Sequence, residues 1–197
     1  VIVLIPEIAL TYQNVSRFYR RFGDCVSLIN SRLSKGERFD QFERAKKGEV
    51  SIVIGPRSAL FTPFPNLGLI LIDEEHEDSY KSEKTPCYHA RETAIRRGEM
   101  EGAHVVLGSA SPSVESYYKG KTGEYKLLYL EERYGGSRLP QVFVVDLKEE
   151  LKTGNRSMFS SVLTEKIRDR LQRKEQVMLF LNRRGYTGFV SCRSCGH

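Results

Sequence analysis

The chain has 197 residues, of which 40% are hydrophobic and 28% charged, with a formal net charge of +6 and a sequence pI near 9.1. That length allows one large or two small domains, and that composition can bury a core, which excludes a disordered or low-complexity chain. No apolar run approaches the roughly 18 to 20 residues a membrane span requires, so a membrane protein of helical type is excluded as well.

In chain order, apolar runs alternate with segments of helical period, the pattern of a parallel sheet covered on both faces. Val1–Ile5 reads as a buried strand and Ile8–Phe22 as a helix with a basic outer face. Val26–Ile29 reads as the next strand. Ser34-Lys35-Gly36-Glu37 fits a capping box that opens a helix fading near Lys47-Gly48. Strands follow at Ser51–Ile54, Leu67–Ile72 and His104–Leu107, with a helix over Ala90–Met100 and a short one over Pro112–Tyr118, where Pro112 suits a first turn. Gly120, Gly123, Gly135 and Gly136 then flank one short apolar run, Tyr125–Leu130, and a domain junction is placed there, giving units 1–120 and 121–197. The second unit is expected to open with a strand over Val142–Val145, a polar loop over Lys148–Arg156, a helix over Ser161–Arg173 and a strand over Val177–Leu181.

The most informative string is Asp73-Glu74-Glu75-His76, which begins where the apolar strand Leu69-Ile70-Leu71-Ile72 should end. Ligands of open parallel sheets bind beyond the carboxyl ends of the strands, and an acidic residue there can hold the magnesium of a nucleotide. Asp73 is the candidate for Mg²⁺ and Glu74 for activating water; a solvated acidic turn is the bland alternative. Ser109 and Ser111 offer hydroxyls to which His76 can bond.

Charge placement favours an anionic partner. Arg17, Arg20 and Arg21 share one predicted helix, Arg96 and Arg97 close another, and Arg183 and Arg184 follow a strand. Arg57 and Ser58, stiffened by Pro56, suit phosphate oxygens. Tyr80, Tyr88 and Arg91 are candidates for stacking on unpaired bases, with packing on the core as the alternative for Tyr88. Cys25 reads as a small buried hydrophobe and Cys87 as a loop thiol. Cys192 and Cys195 form a C-x-x-C that is either half of a zinc knuckle or a redox pair.

Five motifs in order resemble those of superfamily 2 helicases, and among them the primosomal replication-restart helicases of bacteria. Leu4-Ile5-Pro6-Glu7-Ile8-Ala9-Leu10-Thr11 looks like motif Ia and Gly55-Pro56-Arg57-Ser58-Ala59-Leu60-Phe61 like motif Ib. Asp73-Glu74-Glu75-His76 matches motif II, Gly108-Ser109-Ala110-Ser111-Pro112 resembles motif III, and Phe180-Leu181-Asn182-Arg183-Arg184-Gly185-Tyr186 resembles the start of a second motor lobe. Motif III usually reads Ser-Ala-Thr, so Ser111 keeps the hydroxyl and lacks the methyl.

The resemblance implies a RecA-like lobe lacking its P-loop strand, followed by the start of a second lobe with a zinc-binding insertion from near residue 190. It implies Asp73, Glu74 and His76 as catalytic residues, and DNA contacts from Pro6, Glu7, Thr11, Gly55, Arg57, Ser58, Tyr80, Lys81, Tyr88 and Arg91. Ser109, Ser111, Arg183 and Arg184 would couple the lobes, and Cys192 and Cys195 would share Zn²⁺ with ligands outside the chain. ATP and Mg²⁺ are the implied cofactors. Single-stranded and forked DNA, primosome proteins and single-stranded-DNA-binding protein are the implied partners, in the cytoplasm of a bacterium. The string G-x-x-x-x-G-K-S/T occurs nowhere in the 197 residues. The expectation is an internal piece of a 3′ to 5′ helicase, inactive as an ATPase alone, with apolar surface exposed where the P-loop strand would lie in the middle of the sheet. The alternatives are a DNA-binding or zinc module without enzymatic activity and a magnesium-dependent nuclease built on Asp73, Glu74 and Glu75.

Overall fold

The computed structural model describes residues 1–6, 9–132 and 139–180. Two compact units divide the chain, Val1–Tyr129 and Leu130–His197. The division falls inside the glycine-flanked stretch but later than Gly120. The residues after α4 (Val114–Lys121) fold back on it: the Tyr125 amide donates to the Lys119 carbonyl at 3.0 Å, and Leu127 packs over Gly120.

Unit 1 is a five-stranded, all-parallel sheet in the order β2-β3-β1-β4-β5, made of β1 (Ile2–Leu4), β2 (Val26–Leu28), β3 (Ile52–Gly55), β4 (Leu69–Ile72) and β5 (His104–Leu107). Continuous apolar strands suit this arrangement because both faces are covered. Ile2, Leu4, Val53, Ile70 and Ile72 enter one core with Ala45 of α2 (Lys35–Lys46) and Ala90 and Ala94 of α3 (Ala90–Glu101). Val3, Ile5, Val26, Ile52 and Ile54 face the other side, against Phe18 of α1 (Tyr12–Phe22). Burial of each such side chain contributes about 1.5–3 kcal/mol, so the central strand β1, buried on both faces, anchors the unit.

The sheet has no gap. Its five strands pair consecutively, so the open edges are β2 and β5, and on β5 Val106 is 45% exposed.

Local signals act as the sequence predicts at α2, where Ser34 accepts the Glu37 amide at 3.2 Å and Glu37 returns a carboxylate to the Ser34 amide at 2.8 Å. Ser34→Ala is expected to lower stability by about 1 kcal/mol, read as a lower denaturant midpoint at constant m. α1 starts later than expected because Thr11 caps it, accepting the Asn14 amide at 3.4 Å. Pro112 is not in the first turn of α4; Ser113 is the cap, its side chain accepting from Ser116. Cys25 is exposed at the end of a 3-10 turn, not buried.

Gly55 has no room for a side chain. A Cβ there would lie 2.7 Å from the Ile29 carbonyl oxygen and 2.8 Å from Ala59 Cβ. Gly55→Ala is therefore expected to destabilise the fold by about 1–3 kcal/mol in the same denaturation experiment.

In unit 2 the described elements are α5 (Leu147–Lys152) and α6 (Ser161–Gln172). α6 matches its sequence expectation. The polar loop is largely helix, because Asp146 caps it by accepting the Lys148 amide at 2.8 Å. Val142–Val145 is not a strand: it has no partner strand among the described residues, and Val142 and Val144 are 78% and 95% exposed. Residues 177–180 are likewise irregular, and 181 lies outside the described residues. Among the described residues no helix is long and apolar enough to cross a membrane.

Candidate functional site

Parallel pairing puts the carboxyl ends of β1, β3, β4 and β5 side by side, so the loops that follow them converge. The acidic tetrad is fixed from both sides: the Asp73 amide donates to the Leu4 carbonyl at 2.9 Å and the Glu75 amide to the Gly108 carbonyl at 3.1 Å. Asp73 is exposed, and its Oδ1 accepts the Glu74 amide at 3.1 Å. Glu74 stands at φ 48°, in the left-handed region, which for a residue with a Cβ costs about 1–3 kcal/mol and is held only where neighbours enforce it. Here the turn closed by the Glu77 amide on the Glu74 carbonyl, at 2.9 Å, enforces it.

His76 is brought to the serine loop. Its Nδ1 lies 2.7 Å from Ser109 Oγ and 3.6 Å from Glu74 Oε2, and its Nε2 lies 3.5 Å from Ser111 Oγ. Ser109 Oγ also accepts the Ser111 amide at 3.0 Å. One imidazole thus links the loop after β4 to the loop after β5.

Glu75 has a different environment from its neighbours. It is 2% exposed and accepts the Ser113 amide at 2.6 Å, Arg91 Nη1 at 2.8 Å, Ser116 Oγ at 2.9 Å and Ser113 Oγ at 3.1 Å. Burial pushes its carboxyl up, but the Ser113 amide, Arg91 and the two hydroxyls outweigh burial and hold it below the ordinary range. Arg91, placed by sequence among the DNA contacts, therefore points inward; its side chain is 11% exposed and it also donates to Ser113 Oγ at 2.6 Å. Little of its guanidinium meets solvent in this arrangement. Ser113 and Ser116, three apart at the start of α4, supply the two hydroxyl donors.

Tyr80 is also inward. It is 1% exposed and its hydroxyl donates to the Asp73 carbonyl at 2.6 Å, while burial, Asp73, Glu77 and Glu74 all raise its pKa. It packs beneath the acidic loop and presents no ring to solvent. Arg57 grips the same segment, donating from Nη1 to the Ser79 carbonyl at 3.0 Å and to the Lys81 carbonyl. Tyr88 is half-buried, edge-on to Phe61 with centroids 5.2 Å apart; burial raises its pKa, and Arg57, against its hydroxyl, opposes that rise. Pro6, Arg57 and Ser58 line a shared cavity, Lys81 is exposed, and Thr11 caps α1. Arg97, counted in a basic cluster, is turned inward to the carbonyls of Leu60 and Thr62. Glu7, Arg183, Arg184, Cys192 and Cys195, and with them the zinc half-site, lie outside the described residues.

An unbroken parallel sheet with an acidic tetrad at its carboxyl edge makes unit 1 an open α/β domain of the class to which RecA-like lobes belong. No family model matches the chain. Among curated proteins, it is 53% identical over its whole length to replication restart protein PriA of Bacillus subtilis, 48% identical to that of Synechocystis and 45% to that of Rickettsia felis. The chain belongs to the PriA family. It spans 24% of the length of the first two relatives and 30% of the third.

Proposed function

We propose that the chain supplies the DEEH-bearing part of an ATP-dependent 3′ to 5′ DNA helicase that acts in replication restart at stalled forks. The observation that carries this reading is His76, bonded to Ser109 and adjacent to both Ser111 and Glu74. A side chain that touches the acidic loop and the serine loop at once can pass a change at one to the other.

Asp73 and Glu74 present hard oxygen donors at an accessible strand end, a donor set that fits Mg²⁺, which takes one or two carboxylates and fills its remaining positions with phosphate and water. When bound, the ion would neutralise charge developing on the transferred phosphoryl group. Asp73 would hold it, Glu74 would orient and deprotonate the attacking water, and His76 would report the state of that site to Ser109 and Ser111. A nuclease built on Asp73, Glu74 and Glu75 is disfavoured because the Glu75 carboxylate is committed to Arg91, Ser113 and Ser116. The net charge of +6 suits a DNA partner. The relatives are named for replication restart, which supports a DNA partner, and forked DNA, primosome proteins and single-stranded-DNA-binding protein are the partners proposed with it.

Strand displacement by the full-length protein tests this reading. Forks with a 3′ single-stranded tail are expected to be unwound with ATP and Mg²⁺ and not with a non-hydrolysable analogue. Unwinding that ignores the nucleotide, or none on any fork, would remove the helicase reading.

A further inference from the structure

Of the four residues of the acidic tetrad only Glu74 has a left-handed backbone, at φ 48°, and its own side chain does not account for it. That side chain is 43% exposed, and its carboxylate accepts no hydrogen bond among the described residues; its ion-pair partner is His76 Nδ1 at 3.6 Å. A general base has to be aimed, and a side chain without hydrogen bonds is aimed by its backbone.

The chain is fixed on both sides of Glu74. Before it, the Asp73 amide donates to the Leu4 carbonyl of β1 at 2.9 Å, and the Asp73 carbonyl accepts the Tyr80 hydroxyl at 2.6 Å. After it, the Glu75 amide donates to the Gly108 carbonyl at 3.1 Å, and the Glu75 carboxylate is gripped by Arg91 of α3 and by Ser113 and Ser116 at the start of α4. Ala90 and Ala94 seat α3 in the core and Ser116 is itself buried, so the grip comes from packed elements. Stability alone is a poor reason for such a grip, because apolar side chains of the same volume often serve the fold as well as a buried ion pair does. What the ion pair adds is a fixed path for the backbone that leaves Glu74, and a left-handed residue persists only where its surroundings dictate that path.

We infer that Glu75 is a positioning residue for ATP hydrolysis: anchored to α3 and α4, it holds Glu74 in the left-handed conformation and so sets the direction of the Glu74 carboxylate. Arg91 and Ser116 act through it. The inference rests on the nucleotide-site reading above and gives a role there to the one buried carboxylate of the tetrad.

The test is a mutant cycle on kcat for ATP hydrolysis by the full-length protein at saturating oligonucleotide, below the unfolding midpoint of every variant. E75L with R91M removes the grip without stranding a charge, and S116A removes one hydroxyl while leaving the ion pair intact. Misplacing a reacting group by about 1 Å costs about 10²-fold, so E75L with R91M is expected to lower kcat by that factor and S116A by less, with KM for ATP at the wild-type value in both. In the Glu74→Gln background neither change should lower kcat further, because the group being positioned is gone, whereas a merely structural lesion would lower it again. A loss that persists in that background, a wild-type kcat for either variant, or a raised KM with kcat unchanged would overturn the positioning role and leave the nucleotide site standing. Wild-type kcat for Glu74→Gln alone would instead remove the nucleotide site, and the positioning role with it. Should E75L with R91M fail to fold, the S116A cycle decides by the same criteria.

Discussion

Replacing Glu75 with alanine is expected to lower the free energy of unfolding by about 3–5 kcal/mol, the range for removing one partner of a buried ion pair. The loss is large because four donors depend on one carboxylate: Arg91, the Ser113 amide and the hydroxyls of Ser113 and Ser116. Without it the Arg91 guanidinium, in a side chain 11% exposed, keeps its charge in a site where water cannot replace the lost acceptor. E75Q should be milder, since an amide oxygen still accepts from Ser113. A double variant that makes both positions apolar, E75L with R91M, should recover part of what E75A loses, because no charge is then stranded. Denaturant unfolding of the four proteins decides this, and equal losses for E75A and the double variant would contradict the ion-pair explanation.

The same group has a pH signature. The folded carboxyl of Glu75 is held below its ordinary value of 4.5, so its contribution to stability is fully present above that value and is lost as pH falls through the lower folded one. The difference in stability between wild type and E75Q should therefore be constant near neutrality and shrink on acidification below pH 4.5. A difference independent of pH down to acid unfolding would show that the charge of Glu75 contributes nothing.

Several parts of this architecture are legible in the sequence for definite reasons. Strands buried on both faces read as unbroken apolar runs, so all five strands of unit 1 fall inside their predicted spans or within one residue of them. A capping box involves two residues three apart and needs nothing from the rest of the fold, and Ser34–Glu37 forms as read. His76 meets Ser109 because motifs at the ends of adjacent parallel strands must converge.

What was not legible depends on tertiary direction. An arginine in a polar stretch reads as surface, and nothing local says that Arg91 and Arg97 turn inward to a buried carboxylate and to backbone carbonyls. Tyr80 sits in a loop rich in charge, yet its ring fills space under the acidic turn. The Val142–Val145 run has strand composition, but a strand exists only with a neighbour to pair with.

The most direct test of the DEEH tetrad as a nucleotide site is DNA-stimulated ATP hydrolysis by the full-length protein, wild type against Glu74→Gln. A positioned general base contributes about 10²–10⁴-fold, so kcat should fall by that factor while oligonucleotide affinity stays at the wild-type value. Retention of affinity matters because Glu74 is accessible and lies outside the buried Glu75 network, so its loss should not disturb the fold. Hydrolysis by Glu74→Gln at the wild-type rate would contradict the assignment and leave Asp73–His76 as a structural turn at the end of β4.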